Sequence, residues 1–142
     1  MKLITLPLLL ASTWLLHFES DFSTNHRKHP ELGPMITFDT TLFDYGTIPY
    51  AANGTCSFTF TNTGDSPLII ENFQSSCGCL VPSWDKEPVL PGHSGNVRLK
   101  YDTRRVGPFQ KTATLQSNAT NAPMVLLRIK GTVLADTHGN GQ

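Results

Sequence analysis

From Met35 onward, apolar side chains recur at every second position. Cys56, Phe58 and Phe60 alternate with Thr55, Ser57, Thr59 and Thr61, and Val97, Leu99 and Tyr101 with Asn96, Arg98, Lys100 and Asp102. Leu127, Ile129, Gly131 and Val133 alternate with Arg128, Lys130 and Thr132. Strict alternation buries one face of a strand and wets the other, the pattern of half-buried antiparallel sheet. No helical period runs over a useful length. Turn chemistry divides the runs: Asn62-Thr63-Gly64-Asp65 with Pro67 after it, Pro91-Gly92, Val106-Gly107-Pro108, and Asn118 to Pro123. With Ile36–Asp39, Phe43–Ile48 and Leu68–Phe73, this predicts about seven short antiparallel strands, an all-β sandwich spanning residues 35–134. Lys111 shares a phase with Phe109, Ala113 and Leu115, which requires a bulge or an edge position there.

The first twenty residues follow a different pattern. A single Lys2 precedes a mostly apolar run from Leu3 to Leu16, long enough for a secretory signal and short of the roughly 20 residues of a membrane span. An uncleaved N-terminal anchor is the second reading, and the membrane enters only through this segment. No Cys follows the run, which argues against a lipid anchor. Residues 21–34 are a polar linker, and residues 135–142 form a tail without an apolar anchor, expected to fray. The chain is thus expected to be exported, periplasmic or extracellular.

The 142 residues allow one domain. Eleven basic against eleven acidic residues leave no net charge, which removes the footprint of a nucleic-acid binder. With 39% apolar content, the chain can still build a core. No carboxylate pair, Ser-His-Asp set, phosphate-binding glycine loop or dinucleotide fingerprint stands out, so neither an enzyme nor a cofactor is predicted.

The ordered motifs carry a resemblance. Phe43-Asp44-Tyr45-Gly46-Thr47-Ile48 is followed by Phe58-x-Phe60-x-Asn62-Thr63-Gly64, Pro67-Leu68, and Ser76-Cys77-Gly78-Cys79 with Pro82 and Trp84. Leu90-Pro91-Gly92, Gly107-x-Phe109-x-Lys111, Ser117-Asn118 and Ile129-x-Gly131 complete the series. Over about residues 38–134 the chain resembles the bacterial domain-of-unknown-function family 1573. That resemblance implies an immunoglobulin-like fold of the major-sperm-protein and Hydin type, in exported proteins without an established activity. It supplies the Cys77/Cys79 pair and does not predict Cys56.

Three cysteines in an exported chain leave at least one thiol unpaired or bonded to another molecule. Cys56, Cys77 and Cys79 are all disulfide candidates. If the strand ending at Asn62 and the next one form a hairpin, Cys56 lies opposite about Phe73. A structural bridge to Cys77 or Cys79 then requires the chain to fold back at Gly78. A bridge within Cys77-Gly78-Cys79 closes a very small ring, strained and easily reduced, with a redox or partner-linking role. Two thiolates one residue apart also suit a soft ion such as Cu(I), so Cys77 and Cys79 are weak metal candidates; zinc fails for want of ligands, since His93 stands alone. Trp84 is either a binding aromatic or a cover over the Cys77–Cys79 loop. Ser76, Gly78, Leu80 and Trp84 mark a candidate interaction loop. The leading expectation is a non-enzymatic module contacting a protein or cell-envelope component, and the alternative is thiol redox or copper chemistry at Cys77-Gly78-Cys79.

Overall fold

The computed structural model describes residues 31–136; the expected leader, residues 21–30 of the linker and residues 137–142 lie outside the described residues. The alternating segments become strands β1 (Ile36–Phe38), β2 (Leu42–Ile48), β3 (Thr55–Asn62), β4 (Ile70–Ser75), β5 (Leu80–Trp84), β6 (Ser94–Tyr101), β7 (Gly107–Ser117) and β8 (Met124–Val133). They form two four-stranded sheets, β1-β3-β6-β5 and β2-β8-β7-β4. Their inner faces meet in one core, where Phe58, Leu80, Val97, Leu99, Leu115, Leu127 and Ile129 are fully buried. Among the described residues, no helix is long and apolar enough to cross a membrane.

Three features depart from the expected pattern. There are eight strands, the added one being β5. One pair, β2 with β8, is parallel, with Leu42 opposite Arg128 and Ile48 opposite Val133. Side-chain alternation is the same in both directions of pairing, so it carries no sign of this. And β3 and β4 are not a hairpin: they belong to different sheets, and the turn between them is a crossing. Gly64 permits that crossing by close approach, since a Cβ there would stand 2.0 Å from the Gly33 carbonyl oxygen.

Lys111 sits where β4 has ended, its last contact being the Ser76 amide donating to Thr112 O. The β7–β8 register runs without a shift from Gly107 to Gln116, so an edge position, not a bulge, accommodates the lysine. Residues 32–34 join the domain: Leu32 N donates to Asp65 Oδ2 (2.7 Å), and the Thr120 hydroxyl donates to Leu32 O (2.9 Å).

Candidate functional site

Each sheet has two edge strands, and an edge is a place where another chain can add a strand. Here each of the four is obstructed at one or more positions by the chain's own groups. In β1, the outward backbone of Ile36 is claimed by the Asn121 amide, which accepts from Ile36 N (2.9 Å) and donates to Ile36 O (2.9 Å). In β2, Thr40 Oγ1 accepts from Leu42 N and donates to Leu42 O, and the pairing then breaks between Asp44 and Thr47. In β5, Asp102 N donates to Cys79 O, which by alternation turns the backbone of Pro82 away from β6. Pro82 has no amide to offer there, and Leu80 N is already bonded to Cys77 O. In β4, Trp84 Nε1 donates to Ile70 O (3.3 Å), and its ring packs edge-on against Phe73, which is 3% exposed.

With the edges obstructed, the two ends of the sandwich remain. One end carries the β2–β3, β4–β5 and β6–β7 connections. There a cavity of about 510 Å³ is lined by Ala51–Gly54, Gly78, Cys79, Val81 and Lys100–Arg104. Ala51 has φ 56°, the left-handed region, in a residue with a Cβ. Gly54 is demanded by the Tyr101 carbonyl, which would lie 2.2 Å from a Cβ. Asp102 is engaged by Arg105 (3.3 Å), so Lys100 and Arg104 set the charge of the cavity. The sequence separates these cations from the cysteines by some twenty positions, and only the β5–β6 pairing brings them together.

The β4–β5 loop holds a disulfide between Cys77 and Cys79, whose Cα atoms are 5.2 Å apart. Cys79 is buried, 6% exposed, while Cys77 is half-buried. The loop is also fixed without the bridge. Ser75 Oγ donates to Cys77 O (2.8 Å), Leu80 N to the same oxygen (3.3 Å), Asp102 N to Cys79 O (2.9 Å), and Ser76 N to Thr112 O (2.9 Å). Closing so short a loop is worth about 1.5 kcal/mol of chain entropy, against about 3 kcal/mol for a loop of about 15 residues.

Cys56 is not bridged; it is buried on the inner face of β3. The structural bridge to Cys77 or Cys79 considered above is thereby corrected: Cys77 and Cys79 bond to each other, and Cys56 stays a free thiol inside β3, in the sheet opposite β4. Burial raises the Cys56 thiol pKa, an effect the Tyr45 side chain partly offsets. The Tyr45 hydroxyl donates to Gly54 O (2.7 Å), and burial pushes its own pKa upward as well.

The candidate interaction loop is divided by the structure. Ser76 and Gly78 are exposed on it. Leu80 is 1% exposed and points into the core, because the segment from Leu80 to Trp84 is a strand and not a loop. Trp84 lies opposite Val97, four residues and about 13 Å along β5 from the loop, so it covers the β4 edge and not the disulfide. Lys86 Nζ sits 3.2 Å from its ring centroid. Beyond it, a smaller cavity of about 310 Å³ is lined by Phe60, Trp84, Asp85, Glu87, Val89 and Leu90. Among the described residues, no group of three or more His, Cys, Asp or Glu side chains is placed to hold a metal ion.

An eight-strand immunoglobulin-type sandwich with a Cys-Gly-Cys loop defines the class of protein. The particular family follows from the family model that matches residues 36–133: the chain belongs to the family described as "Protein of unknown function (DUF1573)". No curated protein matches it. Among solved structures, it is similar to a protein of unknown function from Porphyromonas gingivalis W83, at 17% identity and a TM-score of 0.64, over 72% of this chain and 48% of that one. It is also similar to the VesB protease of Vibrio cholerae (19% identity, TM-score 0.58, 69% of this chain and 32% of that one). A third similar structure is PapD-like domain 7 of human CEP192, at 9% identity and a TM-score of 0.59, covering 75% of this chain and 89% of that domain. The chain thus spans about half the length of the first of these proteins and a third of the second. These likenesses show the fold, which hosts unlike roles, so function is argued from the site.

Proposed function

We propose that the chain is an exported, non-enzymatic immunoglobulin-like module that holds a partner protein or envelope component at the end carrying the Ser76–Cys79 loop. The observation that supports this reading is the contrast between four obstructed sheet edges and an open cavity at that end. Among the described residues, a strand-adding mode of binding meets an obstruction on every edge, whereas a loop-and-cavity mode has exposed Ser76 and Gly78 beside about 510 Å³ of space. The cations Lys100 and Arg104 favour an acidic contact surface on the partner.

Photo-reactive residues placed at Ser76 or Arg104, and as a control at Ser57 on the exposed face of β3, test it in cells of the native host. Discrete adducts from the first two positions and none from Ser57 are expected. Equal labelling at all three, or none at Ser76 and Arg104, refutes the reading.

A further inference from the structure

We propose that Cys77 captures a cysteine of the partner by disulfide exchange, with Cys79 as the leaving sulfur; this deepens the reading of the same end as a docking site. Four observations converge. The bridge is superfluous for holding its loop, since hydrogen bonds from Ser75, Ser76, Leu80 and Asp102 already fix it and the ring it closes is minimal. The two sulfur-bearing residues are unequal: Cys77 is half-exposed, and Cys79 is buried against the cavity. Lys100 and Arg104 line the same cavity as Cys79, and positive charge there favours a departing thiolate and an incoming anionic thiol. Finally, the fold does not require glycine at position 78. Its φ is not in the left-handed region, and a Cβ there would meet nothing within 4 Å. Glycine therefore keeps the approach to the bridge clear without serving the backbone.

The step balances without an outside oxidant. A partner thiolate attacks Sγ of Cys77, a new S–S bond forms to it, the Cys77–Cys79 bond breaks, and its electron pair leaves on Cys79 Sγ. One disulfide is exchanged for another, stoichiometrically. Attack of the Cys79 thiolate on Cys77 Sγ reverses the step and releases the partner thiolate. Because the loop stays pinned when the bridge is open, both sulfurs remain in place for that return.

The test uses the intact oxidised protein with reduced glutathione as the anionic thiol and 2-mercaptoethanol as a neutral one, quenched in acid and read by peptide mass. A mixed disulfide on Cys77 and not on Cys79 is expected. With oxidised glutathione, Cys79→Ser should accumulate an adduct at Cys77, while Cys77→Ser should leave Cys79 largely unmodified. Replacing both Lys100 and Arg104 by Ala should slow bridge opening by both thiols, since both expel the same Cys79 thiolate, and should slow glutathione several-fold more than 2-mercaptoethanol. The Cys77→Ser/Cys79→Ser variant should melt no more than about 7 °C below the parent, the shift that so small a ring is worth. A bridge inert to glutathione, adducts equally on both cysteines, opening rates unchanged by the loss of Lys100 and Arg104, or a fall in melting temperature well beyond that each overturns the proposal. If Ser76 and Arg104 cross-link a partner while the bridge stays inert, binding stands and covalent capture falls. If Cys77 exchanges while no cross-link forms, the docking reading fails and the sulfur chemistry is retained.

Discussion

The two ends of the sandwich are held together by different means. At the end carrying the β3–β4, β5–β6 and β7–β8 connections, asparagines stitch the loops. Asn62 is fully buried; its side chain donates to Ser66 O (2.8 Å) and Val89 O (2.9 Å) and accepts from Met35 N (3.3 Å) and Gly64 N (3.0 Å). Asn118 accepts from Ile69 N and donates to Pro67 O, and Asn121 closes on Ile36. Four segments distant in sequence are thereby fixed to one another. The disulfide end is held mainly through the backbone: Ala51 N donates to Thr103 O (3.1 Å) and Tyr101 N to Gly54 O (2.8 Å), beside the Tyr45 hydroxyl to Gly54 O, the Thr103 hydroxyl to Ala52 O (2.6 Å) and the pinned Cys77–Cys79 loop. It also accepts an alanine in a left-handed conformation. One end is stitched by a buried side chain, and the other keeps a cavity, a half-exposed cysteine and a strained residue.

That contrast can be broken most forcefully at Asn62. Asn62→Ala takes the partner from the part-buried Met35 N, Gly64 N and Ser66 O and one of two donors from Val89 O, and should cost about 3 kcal/mol in urea unfolding, with exchange protection lost first in β1 and the Val89–His93 loop. A loss below about 1 kcal/mol would mean that the stitched end is not the stronger one. At the other end, Tyr45→Phe removes one hydrogen bond to Gly54 O and should cost about 1 kcal/mol in the same measurement. Ala51→Gly should go the other way, stabilising by about 0.5–1 kcal/mol because the left-handed conformation carries no Cβ penalty in glycine. No gain in melting temperature would remove the claim of strain at the cavity.

The smallest effects are in pH, and they come with both signs, the alkaline one confined to Cys56 and the tyrosines near the disulfide end. Cys56 and Tyr45 have folded pKa values raised above 9.0 and 10.0, so the unfolded chain releases these protons first. Their contribution is complete below pH 9 and is lost as pH rises through and beyond that range. Asp65, accepting from Leu32 N, has a folded pKa lowered from 3.8; its contribution is present above that value and lost as pH falls through it. Asp44, held by Gly46 N and Lys130 on β2, has the same direction. Hydrogen exchange at pH 9.5–10.5 should therefore loosen the Ala51–Gly54 segment first. Asp65→Asn should blunt the acid response at Leu32–Pro34 alone, and uniform loosening in alkali would erase the distinction.

The sequence carried β3, β6 and β8 plainly, because each alternates strictly over a long run. It concealed β5, whose five residues include Pro82 and lie between a cysteine turn and a proline-rich stretch; proline reads as a strand breaker, yet on an outward edge it costs no ladder bond. Pairing order was hidden for a related reason, since alternation records which face is buried and not which strand lies alongside. From this came the misplaced partner for Cys56. The candidate site was legible as a Cys-Gly-Cys cluster. The cavity beside it was not, because Lys100 and Arg104 reach Cys79 only through the β5–β6 register. The asparagine stitching was equally invisible: Asn62, Asn118 and Asn121 all sit in segments that read as turns, where asparagine is ordinary.

The parallel pairing of β2 with β8 has a consequence in time. Leu42 has no neighbour in its sheet until Arg128 exists, so a chain delivered amino end first must hold β2 unpaired until β8 emerges. During that interval Phe43 lacks Ile129 beside it, and β2 joins the β4–β7 pair only when β8 is in place. A nascent chain stopped before Met124 would leave β2 and β7 facing each other across an empty lane. Closure of this sandwich is a single late event, made when β8 enters between β2 and β7.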